Sequence, residues 1–130
     1  MKKLLTVLNI VVFTMSLGAC ATVSKVDLAG VAKSAKMKNI TTGDGTFENY
    51  TATGQHKGKE IGIGLGIFCW KFMELFPAKS NEALLTDVAI DASNAGVNAM
   101  INVTPASEFF GGFIIGLYFD KACGTGIKTK

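Results

Sequence analysis

Residues 80–104 read SNEALLTDVAIDASNAGVNAMINVT, and this stretch decides the fold class. Leu84, Leu85, Val88, Ala92 and Ala95 recur at helical spacing and form one apolar stripe, with Asp87, Asp91 and Asn94 largely opposite. Ser80 or Asn81 can cap the first turn, and Glu82 suits the positive end of a helix. Gly96 ends the pattern, because glycine adopts the left-handed C-cap conformation without a Cβ penalty. A helix is therefore predicted over about 81–95. Val97 to Thr104 then reads as a strand, stopped by Pro105.

Strand signals flank this helix on both sides. Ile61 to Phe68 alternates strictly, with Ile61, Ile63, Leu65 and Ile67 on one face and Gly62, Gly64 and Gly66 on the other. A glycine face allows close approach of a backbone or a bulky side chain. Trp70, Phe72 and Phe76 follow, ending at Pro77. Upstream, 39–42 and 46–53 suggest two short strands around Gly43-Asp44-Gly45. Residues 54–59, with His56, read as a polar turn. Downstream, Phe109 to Phe119 is an aromatic, glycine-broken run, and 122–128 a closing strand carrying Cys123. The expected fold is α+β, a small antiparallel or mixed sheet of about four to five strands with one helix packed on it. Gly62-x-x-x-Gly66 and Gly112-x-x-x-Gly116 match a helix-packing motif of membranes, but neither apolar run is long enough to cross a bilayer as a helix.

Composition removes several function classes. Of 130 residues, 48% are hydrophobic and 18% charged, a globular balance. Arginine is absent, so phosphate or guanine cannot be read bidentately, and no nucleic-acid partner is expected. One histidine and scattered cysteines form no metal-ligand cluster, and no cofactor-binding motif is present. Asp87 and Asp91 share a helix face as a solvated acidic pair. No nucleophile elbow or phosphate loop occurs, so a non-enzymatic role is expected.

The N-terminus points to an address. Met1-Lys2-Lys3 is a short positive segment, and the uncharged, mostly apolar run Leu4–Leu17 fits the core of a secretory signal. It ends in Leu17-Gly18-Ala19-Cys20, which resembles the lipobox of bacterial lipoproteins. The resemblance implies removal of residues 1–19, a diacylglyceryl thioether and N-acylation at Cys20, and anchoring by three acyl chains. Ala21, rather than Asp, resembles the outer-membrane default. The expected organisation is a signal peptide over 1–19, a lipidated tether over 20–38 and one small domain over 39–130.

Committing Cys20 to lipid leaves Cys69 and Cys123 as an even pair in an oxidising compartment. A bridge would close a loop of about 53 residues and contribute roughly 4 kcal/mol. Two separately buried thiols are the competing reading.

Residues 62–128 are similar to small lipoproteins of the TRL-like type, and 109–123 to phage-encoded Bor lipoproteins. Nine of the 12 aromatics fall in two segments. Phe68, Trp70, Phe72, Phe76, Phe109, Phe110, Phe113 and Tyr118 are the candidate partner-binding residues, alongside Phe119. They form either the core of a small domain or an exposed surface for an envelope partner. The expected protein is a non-catalytic, lipid-anchored outer-membrane component, structural or partner-binding. The alternative is an oligomer-forming or membrane-active subunit using its glycine-aromatic segments.

Overall fold

In the computed structural model the described residues are 19–22, 25–67, 70–111 and 114–130. Their order is β1 (Ala19–Thr22), α1 (Leu28–Ser34), β2 (Asn39–Ile40), β3 (Tyr50–Ile67), β4 (Trp70–Phe76), α2 (Asn81–Asn94), β5 (Ala99–Gly111) and β6 (Ile115–Thr129). One mixed sheet runs β1-β5-β6-β3-β4, and β2 pairs in parallel with the start of β5. The α+β class is as expected, with a second helix and one more strand than anticipated.

α2 forms where its local signals place it. The Ser80 side chain accepts the Ala83 N–H, and Gly96 takes φ +81° past the last turn. Leu84, Leu85, Val88, Ala89 and Ala92 are buried against the sheet. The surface pair Lys79–Asp87 sits beside the first turns. The hydrogen bond and charge of Asp87 raise the Lys79 pKa above its ordinary value. The folded-state pKa is the higher one, so this contribution is complete at neutral pH and fades only as pH rises through the lysine range. Solvent screening at the surface keeps it small.

Residues 20–38, read as a tether, contain a packed helix. Asp27 caps α1 by accepting the N–H groups of Ala29 and Gly30. Val31, Ala32, Ala35 and Met37 then enter the same core as α2. The small side chains that suggested a linker are what let α1 pack close to α2. Lys36 follows the helix at φ +55°, a left-handed conformation that costs a non-glycine residue energy. Lys36→Gly is expected to stabilise the protein by roughly 0.5 kcal/mol net, read as a higher urea midpoint at unchanged slope.

Three local readings change. Residues 50–67 form one continuous strand, with no turn at 54–59, because β6 pairs along it from Thr129 opposite Tyr50 to Ile115 opposite Leu65. Residues 39–53 are not a hairpin, since Asn39 and Ile40 pair with Ala99 and Met100 of β5. Pro105 does not stop β5; it lies opposite Ala122 of β6, and among the described residues no strand pairs with it on the other edge. A residue without an N–H is tolerated in a strand where the edge its donor would face carries no partner. Gly62 and Gly66 both lie in β3, as the alternation of that run implied, and not on a packing helix; Gly112 is outside the described residues.

Of the two cysteines expected to pair, Cys123 is a free, half-buried thiol in mid-β6, opposite Lys57 and Thr104. Cys69 lies outside the described residues.

Candidate functional site

Directly opposed residues of antiparallel strands share a face, so the register divides the sheet into two. Gly58, Gly62 and Gly64 of β3 lie opposite Ala122, Tyr118 and Gly116 of β6. This is the face the helices cover: a Cβ on Gly58 would meet Val88 and Leu84, and one on Gly124 would meet Val103 and Met100. Farther out, the Tyr118 ring lies over Gly62, and its hydroxyl donates to the Phe76 carbonyl and accepts the Ala78 N–H. Glu74 lies opposite Gly64, on this same face.

The other face carries the intervening residues. Rows across it read Phe110–Leu117–Ile63–Phe76 and Glu108–Phe119–Ile61, with Ile115–Leu65–Met73 beyond. Ile61, Met73, Phe76, Phe110, Ile115 and Leu117 are all exposed, although each is a large apolar side chain. At the opposite end Phe47 packs over Ala99, Ile101 and Ile127, so there the same face is closed. Apolar residues contiguous across four strands, rather than scattered singly, mark an interaction surface.

Cationic residues border this apolar end. Lys57, Lys59 and Lys121 lie on the same face and line a cleft of about 370 Å³ with Cys123. Lys121 pairs with Glu108, and Lys59 Nζ stands 4.7 Å from the centre of the Phe119 ring. Three lysines against one carboxylate leave the border net positive.

The aromatic residues singled out from the sequence divide between exposed and buried positions. Phe72, Phe76 and Phe110 are 63%, 67% and 51% exposed, whereas Phe109 and Tyr118 retain 6% and 3%. Phe119 is half-buried beneath Lys59. Trp70 lies in β4, opposite Ile67. Phe68 and Phe113 lie outside the described residues. Some of these rings are thus core and others are exposed. The aliphatic half of the surface, above all Ile61, Ile115 and Leu117, lies outside the aromatic set. The signal was available, because the alternation of Ile61, Ile63 and Leu65 continues back through Lys59 and Lys57.

Cys20 opposes Phe109, which opposes Tyr118, which opposes Gly62. The residue read as the lipidation site therefore stands on the edge strand, level with the middle of the apolar rows.

A second cleft, of about 340 Å³, is polar and lies beside the first turn of α2. Asn81 Nδ2 donates to Ser107 Oγ at 2.8 Å, and that hydroxyl donates to the buried Asp120 carboxylate. This chain ties α2 to β5 and β6. Ser107 has no imidazole within reach: His56 packs near Gly126, six residues and about 20 Å along β6 from Asp120. Among the described residues no group of three His, Cys, Asp or Glu side chains is placed to hold a metal ion.

No protein-family model matches the chain, and no curated protein is significantly similar to it.

Proposed function

We propose that the chain is a non-catalytic lipoprotein of the bacterial outer membrane, anchored by acylated Cys20 and serving as a structural or partner-binding envelope component. The observation that carries the reading is Leu17-Gly18-Ala19-Cys20 at the end of an uncharged, mostly apolar run behind two lysines. The fold is compatible with it. Cleavage before Cys20 removes only Ala19 from β1 and leaves Cys20 to Thr22 paired with Phe109 to Ser107. The new N-terminus then lies at a sheet edge, where acyl chains can leave the protein without crossing its core.

Mass spectrometry of the protein extracted from its native membrane tests the reading directly. The expected product begins at Cys20 and carries a diacylglyceryl group and an N-acyl chain. Cys20→Ser is expected to abolish both the acylation and the cleavage before residue 20. A native product beginning at Met1, or one with an unmodified Cys20 thiol, overturns the assignment.

The exposed apolar rows favour a second reading, in which copies of the chain associate through this face. Crosslinking of intact envelopes that yields a discrete oligomer would support it. Monomers alone would remove it.

A further inference from the structure

We propose that the open face of the sheet lies on the bilayer that holds the anchor, with its apolar rows at the acyl boundary and Lys57, Lys59 and Lys121 among anionic headgroup phosphates. The proposal rests on acylation of Cys20, and it names the partner of the surface described above.

Three independent features converge on a lipid surface as the occupant. The first is the order of chemistry along one face. Moving outward along β3, that face presents Lys57 and Lys59, then Ile61, Ile63 and Leu65. Lys121 of β6 lies opposite Lys59, and Ile115 and Leu117 continue the apolar part. A cationic border beside an apolar field matches a bilayer surface, where phosphates lie directly outside the hydrocarbon. An apolar patch of a protein partner has no comparable need for a positive border.

The second is segregation of charge. Glu74 lies on the glycine face, and Asp120 is buried there. Glu108, the open-face carboxylate of this region, is matched by Lys121. Turning the open face toward lipid thus leaves no unmatched carboxylate against the phosphates.

The third is the place where the chain emerges. Cys20 lies on the edge strand β1 in the row of Phe109, Tyr118 and Gly62, a row of the helix-covered face that falls between the open-face rows of Ile61 and Ile63. An acylated residue at that edge holds the domain at one bilayer, within reach of the open face. The second contact is then intramolecular, and modest intrinsic affinity is enough to hold it. Among the described residues no helix is long and apolar enough to cross a membrane.

The experiment uses the acylated full-length product in phosphatidylglycerol/phosphatidylethanolamine vesicles with brominated acyl chains, and tryptophan fluorescence as the readout. Trp70, the single tryptophan, is replaced by Phe, and a reporter is added as Leu117→Trp on the open face or Asn94→Trp at the exposed end of α2. The open-face reporter is expected to be quenched about twofold or more relative to non-brominated vesicles, and the helix reporter to be unchanged. Adding Lys57→Glu and Lys59→Glu should reduce the open-face quenching by roughly half or more.

A blue-shifted but unquenched open-face reporter, with crosslinked dimers, assigns the face to a second copy and overturns the proposal. Equal quenching of both reporters, or of neither, overturns it as well. An acylated product without open-face quenching removes the docking face and leaves the lipoprotein reading standing. A native product with no acyl groups removes the lipoprotein reading itself.

Discussion

Gly62→Val is expected to destabilise the protein by roughly 3 kcal/mol. An ideal Cβ at position 62 would stand 2.0 Å from the Tyr118 ring, a separation no side chain tolerates. The ring cannot simply turn away, because its hydroxyl is held at 2.8 Å by the Ala78 N–H and at 3.0 Å by the Phe76 carbonyl. Accommodating valine therefore requires either a shift of β3 against β6 or the release of Tyr118. Release would also detach the segment after β4 from the sheet. Gly43→Ala provides the contrast: nothing lies within 4 Å of its ideal Cβ, and its backbone is not left-handed. It should change stability by less than about 0.5 kcal/mol.

Urea unfolding measures both variants, with the shift read as a midpoint change at constant slope. The mechanism has its own check. Gly62→Ala should cost markedly less in a Tyr118→Leu background than in the wild type, because the clashing ring has gone. Equal costs in the two backgrounds would show that the glycine matters for some other reason.

Leu85→Ala is expected to cost about 3–4 kcal/mol, within the range for deleting a large aliphatic side chain from a packed core. Leu85 is 0% exposed and sits at the centre of the α2 stripe. It belongs to the cluster that joins both helices to β5 and β6 through Val31, Val88, Met100, Val103 and Ala122. A cavity there is enclosed on every side, so relaxation recovers little of the lost contact. Ile90→Ala removes as large a side chain from the exposed side of the same helix and should cost far less. Similar urea midpoints for the two variants would contradict the packing described.

Local and long-range information separate cleanly across the elements. α2 was legible because everything that makes it lies within seventeen residues: a capping serine, an apolar stripe and a terminal glycine. The long β3 strand was not. Its Gly54–Lys59 segment has the composition of a turn, and it is extended because β6, more than fifty residues later, supplies its hydrogen bonds. Pro105 misled for a similar reason. A proline stops a strand only where the edge its missing N–H would face is paired, and which edges are occupied is a property of the assembled sheet. α1 was hidden by small side chains that read as a linker until a second helix lay against them.

The same distinction governs the site. Phe109 and Phe110 are neighbours of equal hydrophobicity, yet one is buried with Tyr118 and the other exposed with Leu117. Side-chain direction alternates along a strand, so register alone assigns each ring to a face. The sequence by itself determined the α+β class, the helix with both its ends and the cysteine read as an anchor. Each of these depends on residues that act within a few positions of one another. Only the tertiary structure decided which apolar residues became core, which became surface, and that lysines border the exposed ones. Those outcomes follow from pairing between distant strands, and no local pattern encodes the partner or its register.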